Sequence, residues 1–161
     1  MVEGVIFDAF GTLVEIQNRQ NPYRRLLRIG AHQGRVTHPS DIRWVMTHGH
    51  RLEDTAAVFG IKLSSAQLTE LQDALELELK SVRLFNDALP AIELLRARGI
   101  KIGVCSNLSS PYCLVVRRLL PGLDAYALSS ELSLMKPDPE IYQAICRMLN
   151  ISASHLSRGR G

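Results

Sequence analysis

Short apolar runs alternate along this chain with stretches of helical periodicity. Val5, Ile6 and Phe7 lead directly into Asp8, and the backbone must turn at Gly11. Residues 100–105 and 125–129 form two further runs of the same kind. Continuous apolar runs of this length, closed by turn residues, predict strands that are buried on both faces. Such strands are typical of parallel sheets covered by helices.

The segment from residue 15 to about residue 85 has helical periodicity and few strand signals. Pro22 fits the first turn of a helix, Pro39 opens a second helical segment, and Ser64 fits the capping position of a third. The leucines that follow Ser64 recur at helical spacing, which is typical of a core-facing stripe. This part of the chain is therefore predicted to be a small, all-helical insert.

Helices and strands alternate on the carboxyl side of this insert. Helices are predicted after Asn86, after Ser109 and from Glu140 to Leu149, with the second and third apolar runs between them. Strands that alternate with helices in this way predict an α/β fold with a parallel sheet.

Length and composition are those of an ordinary globular domain. The chain has 161 residues, of which 46% are apolar, so a single domain or a core with a small insert is expected. The formal charge of +3 is mild. The basic residues form only local clusters, such as Arg117 with Arg118, without interleaved aromatic residues, so we expect no nucleic-acid partner.

Cysteine usage and hydropathy favour a cytoplasmic protein. Cys105, Cys113 and Cys146 form no CxxC pair and no even framework, which suits a reducing compartment. The start of the chain lacks a signal-peptide pattern, and no apolar run approaches about 18 residues. We therefore predict no membrane partner.

Polar residues follow each predicted strand at the point where it ends. Asp8 follows the first strand, Ser106 and Asn107 end the second, and Lys136 lies in the loop after the third. The carboxyl ends of parallel strands share one edge of a sheet, so these groups are predicted to meet in one pocket. There a carboxylate could attack and form a covalent ester, while the hydroxyl and the ammonium hold an anionic group such as a phosphoryl.

These three segments resemble the motifs of the haloacid dehalogenase-like hydrolases. The first is Asp8-Ala9-Phe10-Gly11-Thr12-Leu13, the second is Ser106-Asn107, and the third is Lys136-Pro137-Asp138-Pro139. The resemblance covers nearly the whole chain. It implies a Rossmann-like core, formed by residues 1–15 and 86–161, and an inserted helical cap, formed by residues 16–85, that closes over the site and selects substrates.

The resemblance also implies residue roles. Asp8 would be the nucleophile and Lys136 the lysine of the third motif. Thr12, Ser106 and Asn107, with Phe10, would contact the small anionic substrate. If the enzyme is a phosphatase, Mg²⁺ would be its cofactor, bound by Asp8 and the backbone carbonyl of Phe10; a dehalogenase would use no metal.

Phe10 departs from the phosphatase pattern. Phosphatases of the family usually have an aspartate two residues after the nucleophile as a general acid and base, and a phenylalanine cannot transfer a proton. The dehalogenase branch tends to have an aromatic residue there, and it would also need an arginine for the carboxylate or the leaving halide of a 2-haloacid. The candidates, which the sequence does not separate, are Arg24, Arg25, Arg28 and Arg43.

The end of the chain departs from the family as well. The family's fourth motif is an acidic strand end of the type Gly-Asp-x-x-x-x-Asp, whereas no acidic residue occurs after Glu140. Residues 150–161 read as a disordered or truncated end, which would leave Asp8 as a poor Mg²⁺ site. Without that motif's strand, Val5-Ile6-Phe7 would form an exposed edge, so we expect low stability or self-association.

Two functions therefore stay open. The first is a hydrolase that acts through an aspartyl ester on a phosphate monoester or a 2-haloacid. The second is a catalytically impaired family member that binds a small anion or a partner without turnover. Separately, His48 and His50 are expected to be surface residues whose rings point to different faces of a helix, which disfavours a metal site.

Overall fold

A four-stranded parallel sheet lies at the centre of the computed structural model, which describes residues 1–159. The strands are β1 (Gly4–Phe7), β2 (Val14–Ile16), β3 (Val82–Leu84), β4 (Lys101–Ser106), β5 (Ala125–Leu128) and β6 (Leu156–Arg158). The helices are α1 (Pro22–His32), α2 (Ser40–Thr47), α3 (Leu52–Val58), α4 (Ser65–Lys80), α5 (Ala88–Ala97), α6 (Ser110–Leu119), α7 (Ser129–Leu132) and α8 (Pro139–Leu149). The sheet has the order β5-β4-β1-β6, with all neighbouring pairs parallel.

The sheet is buried on both faces, as its apolar strands predict. Ile102 and Val104 of β4 belong to a large apolar cluster that also contains residues of α5 and α6. Cys105, the next residue along, belongs to a second cluster with Ile141 and Ile145 of α8. The α/β fold with a parallel sheet is therefore confirmed, and the carboxyl ends of β1, β4 and β5 lie at one edge.

The segment between β2 and β3 is helical, and its two ends are held together by a small antiparallel pair. Val14 of β2 is in register with Leu84 of β3. Ser64 caps α4 through the Gln67 N–H, and the Gln67 side chain accepts from the Ser64 N–H in return, so the predicted capping box is present. The sequence did not predict β2 or β3, because each has three residues with a charged residue in the middle, so neither is a continuous apolar run. It did not predict α3, because seven residues are too few to establish a helical period.

The expectation of an exposed β1 edge is wrong. Residues 153–155 form a 3₁₀ turn and β6 follows, with Gly4 in register with Leu156 and Ile6 with Arg158. The Gly159 N–H donates to the Ile6 carbonyl and extends this pairing. Residues 153–158 are thus ordered, and the self-association that we expected from an uncovered edge loses its basis. Arg160 and Gly161 lie outside the described residues.

Across residues 1–159, no helix combines the length and apolarity that a bilayer crossing requires.

A buried ion pair at the start of α2 should make part of the stability sensitive to acid. The Arg35 guanidinium donates to both oxygens of Asp41 at 2.7 and 2.8 Å, and this bond is the main reason that the pKa of Asp41 falls to about 2. Because this pKa lies below that of the unfolded chain, the pair stabilises the fold above about pH 4. Its contribution is lost as the pH falls towards 2.

We therefore expect the free energy of unfolding to decline more steeply between pH 4 and pH 2 in the wild type than in Asp41→Asn. Urea unfolding at a series of pH values measures this difference. Asp73→Asn, at an exposed position of α4, is the control and should keep the wild-type slope. Equal slopes in the wild type and Asp41→Asn would contradict the assignment.

Candidate functional site

Asp8 lies directly beyond the carboxyl end of β1, where its side chain is held by three donors. Its Oδ1 accepts from the Ala9 N–H at 2.8 Å and from the Ser106 hydroxyl at 3.0 Å. Its Oδ2 lies 2.9 Å from Nζ of Lys136. The Asp8 side chain is 41% exposed and that of Lys136 is 22% exposed, so the ion pair opens to solvent and to a ligand.

The sheet and one loop fix the partners of Asp8. Ser106 is the last residue of β4, which pairs with β1, and it is almost completely buried. Lys136 is fixed through its backbone by Asn107, whose Nδ2 donates to the Lys136 carbonyl at 2.9 Å. The Lys136 N–H donates to Asn107 Oδ1 at 2.7 Å. The structure thus brings Asp8, Ser106 and Lys136 together, and it places the Asn107 amide on the lysine loop.

The loop after Asp8 folds tightly back on itself. The Ala9 carbonyl accepts from the N–H groups of Thr12, Leu13 and Val14. Gly11 has a φ of +84°, a conformation that favours glycine. Thr12 is half-buried in this loop, and the Phe10 ring meets the Tyr112 ring edge-on, with 5.8 Å between centroids. Phe10 therefore packs against α6 of the α/β part.

A cleft of about 370 Å³ is lined by Phe10, two residues after Asp8, and by Asn107, the residue after Ser106, but its lining does not include Asp8, Ser106 or Lys136. Most of the side chains around it are apolar or aromatic. Its lining consists of Phe10, Ile16, Arg19, Asn21, Pro22, Tyr23, Arg24, Ile42, Val45, Met46, Glu78, Asn107, Leu108, Ser109 and Tyr112. Residues of the helical segment and of the α/β part thus share the cleft, and its walls are mainly apolar.

The structure separates the four candidate arginines. Arg24 lines the cleft, whereas Arg25 and Arg28 line a different depression against α4. Arg43 forms an ion pair with Asp138 of the lysine loop. Arg19 also lines the cleft and was missed, because it lies in the loop after β2, a strand that the sequence pattern does not reveal.

Glu78 is a buried carboxylate that connects the helical segment to α6. Its Oε1 accepts from the Tyr112 hydroxyl at 2.7 Å, and its Oε2 accepts from the backbone N–H of Asn21 at 2.7 Å and from that of Gln20. Burial, followed by this hydrogen bond, raises the pKa of Tyr112 well above its ordinary value. Glu78 thus fixes the loop that carries Arg19.

The side chains around Asp8 offer few ligands for Mg²⁺. Among the residues that the structure describes, no group of three or more His, Cys, Asp or Glu side chains could hold a metal ion. Mg²⁺ prefers octahedral oxygen ligands and is commonly bound by one or two carboxylates together with substrate phosphate. Here Asp8 has Phe10 as its neighbour in the motif, and its own oxygens already contact Lys136 and Ser106.

The prediction for the two histidines is wrong in its geometry. Both His48 and His50 follow the end of α2, and their rings lie nearly parallel to that of Trp44, with centroid distances of 4.3 and 5.1 Å. The rings therefore share one aromatic cluster, because the chain leaves the helix at Thr47 and helical spacing no longer applies.

The chain belongs to the haloacid dehalogenase-like hydrolases: the model of that hydrolase family matches residues 2–156. The chain is therefore a hydrolase by family.

Two curated relatives carry more specific names. The chain is 25% identical to (S)-2-haloacid dehalogenase 4A of Burkholderia cepacia in an alignment of 166 positions that covers 94% of this chain and 71% of that protein. It is 40% identical to Phosphatase MT3486 of Mycobacterium tuberculosis over 74 residues, which cover 44% of this chain and 34% of the phosphatase. The dehalogenase and phosphatase branches of the family are thus both represented among its relatives.

Solved structures share the fold at low identity. A HAD family enzyme of Bacteroides thetaiotaomicron has a TM-score of 0.66 at 15% identity, and the alignment covers 98% of this chain and 83% of that one. A complex of the same enzyme with magnesium and inorganic phosphate gives a TM-score of 0.66 at 14% identity, with coverage of 98% and 84%. A hydrolase from Pseudomonas syringae gives 0.60 at 14% identity, with coverage of 97% and 74%.

Proposed function

We propose that this hydrolase displaces halide from a 2-haloacid through an ester on Asp8. The observation that carries the proposal is the environment of Asp8. Its Oδ2 is oriented by Lys136 and open to a ligand. The residue two positions after Asp8 is Phe10, which cannot donate a proton to a leaving alkoxide. A halide leaves as an anion and needs no such proton. The relative named as a 2-haloacid dehalogenase, aligned over 94% of the chain, supports the same branch.

The reaction would proceed in two steps. Asp8 Oδ2 attacks the carbon that bears the halogen, so that a carbon–oxygen bond forms while the halide leaves with the electron pair of the broken bond. Water then adds to the carboxyl carbon of the ester, which releases the 2-hydroxy acid, regenerates the carboxylate and yields one proton. Ser106 and the Ala9 N–H hold the other carboxylate oxygen in place during the attack.

The remaining residues would bind and enclose the substrate. Arg24 is the candidate for the haloacid carboxylate, because it is the one of the four sequence candidates that lines the cleft. Thr12 and Asn107 support the loops on either side. The segment between β2 and β3 acts as a cap over the cleft. We also place the protein in the cytoplasm, a location that suits three buried, unpaired cysteines.

A phosphate monoesterase is the second candidate, and the Mycobacterium tuberculosis phosphatase favours it. An aspartate paired with a lysine can also attack phosphorus. The donor set disfavours this candidate, because phosphoryl transfer relies on electrostatic stabilisation that Mg²⁺ commonly supplies.

Two parallel assays test the proposal. We expect chloride release from 2-chloropropionate that is insensitive to EDTA, and no phosphate release from p-nitrophenyl phosphate with or without Mg²⁺. Mg²⁺-dependent phosphate release without chloride release would select the phosphatase. If neither product forms but phosphate or vanadate raises the melting temperature, the chain is an anion-binding member of the family without turnover, and the proposal is wrong.

A further inference from the structure

The cleft lined by Phe10 and Asn107 contains one more guanidinium group than a simple 2-haloacid needs. One bidentate guanidinium satisfies one carboxylate, and Arg24 is available for it. Arg19 lines the same cleft. Within residues 1–159, Arg19 and Arg24 form no salt bridge, in contrast to Arg35, Arg43 and Arg117. A second guanidinium thus lines the cleft without an ion-pair partner, although the Glu78 carboxylate lines the same cleft.

Arg19 is left free by the way its loop is built. Glu78, the carboxylate that lines the same cleft, uses both of its oxygens to accept hydrogen bonds from the backbone of Gln20 and Asn21 and from Tyr112. Arg19 is exposed and lines the cleft together with Tyr112. Its hydrogen-bond donors therefore stay available to a ligand.

The size and lining of the cleft point to a substrate with a large apolar part. A volume of about 370 Å³ equals on the order of twelve water molecules at roughly 30 Å³ each. A three-carbon haloacid would leave much of that space empty. Phe10, Tyr23 and Tyr112 line the same cleft as the two arginines, and ring surfaces bind apolar and aromatic groups.

From these observations we infer that the preferred substrate is an anion with an aromatic or branched apolar body that ends in a second anionic group, and that Arg19 binds this second group. The inference rests on the proposed function in one respect: the first anionic group is the carboxylate of the 2-haloacid. Arg19 is then a specificity-determining residue.

Binding of two unreactive probes tests the inference separately from turnover. The probes are 3-phenylpropionate, with one carboxylate, and 3-(4-carboxyphenyl)propionate, with two. We expect calorimetry to show that the wild-type chain binds the diacid about tenfold more tightly than the monoacid. Arg19→Gln should reduce this ratio to near one. Arg25→Gln is the matched control, because Arg25 lines a different depression, and it should keep the wild-type ratio.

The outcomes distinguish the two proposals. Equal binding of the two probes by the wild type, or an equal loss of preference in Arg19→Gln and Arg25→Gln, would overturn the role of Arg19. An Arg19-dependent preference supports it even if no haloacid is turned over, in which case only the dehalogenase proposal fails. Chloride release from 2-chloropropionate together with equal binding of the two probes would support the dehalogenase proposal and overturn the role of Arg19.

Discussion

Replacement of Asp8 by asparagine should abolish turnover while leaving the fold intact. The amide is a neutral, poor nucleophile, so no ester can form. It can still accept hydrogen bonds from Ser106 and the Ala9 N–H, and the site is partly open to solvent, so little stability should be lost. We expect the rate of chloride release from 2-chloropropionate to fall on the order of 10³-fold or more, as for the loss of nucleophiles in other enzymes.

Asp73→Asn is the matched control for this experiment. It makes the same chemical change at an exposed position of α4, remote from the cleft, and should leave the rate unchanged. Circular dichroism and the melting temperature verify that Asp8→Asn is folded. If the folded variant keeps a tenth or more of the wild-type rate, Asp8 is not the nucleophile.

Replacement of Glu78 by alanine should destabilise the protein by about 2–4 kcal/mol. The change leaves the buried hydroxyl of Tyr112 without its acceptor and the N–H groups of Gln20 and Asn21 without theirs. A buried polar group that loses its partner costs about 1–3 kcal/mol, and the two backbone groups are partly exposed, which limits their share. Because the same carboxylate fixes the loop of Arg19, binding in the cleft should weaken as well.

Urea unfolding monitored by circular dichroism measures the effect. Glu76→Ala, two positions earlier on α4, removes a carboxylate that is 61% exposed and paired only with Lys80 one turn away. Exposed pairs of this kind contribute little, so the stability of Glu76→Ala should stay close to that of the wild type. Equal effects of the two substitutions would show that the Glu78 network does not hold the two parts together.

Some elements were predictable because the pattern that identifies them lies within their own sequence. β1, β4 and β5 are continuous apolar runs, and α4 shows both a capping pair and a leucine stripe. β6 has no such signal, since Leu156-Ser157-Arg158 is neither apolar throughout nor bounded by turns. It becomes a strand because β1 offers free N–H and C=O groups at its side, which is a property of the folded sheet and not of the segment.

The same distinction applies to the candidate site. The convergence of Asp8, Ser106 and Lys136 follows from strand ends and could be expected from topology. The positions of Arg19 and Glu78 depend on a five-residue loop between β2 and α1 and on the packing of α4 against α6. Nothing in the local pattern around these two residues distinguishes them from surface charges.

The short length of β6 limits pairing between the sheets of two copies of this protein. A strand of another molecule that pairs with Leu156–Arg158 could form backbone hydrogen bonds along only three residues. Arg158, at the end of this strand, lies over the ring of Tyr142. About three hydrogen bonds, each contributing about 1 kcal/mol net, do not offset the cost of association. Two molecules that associate lose translational and rotational freedom, which costs roughly 4–15 kcal/mol of free energy. Within residues 1–159, the edge formed by β6 is thus a weak template for fibre growth.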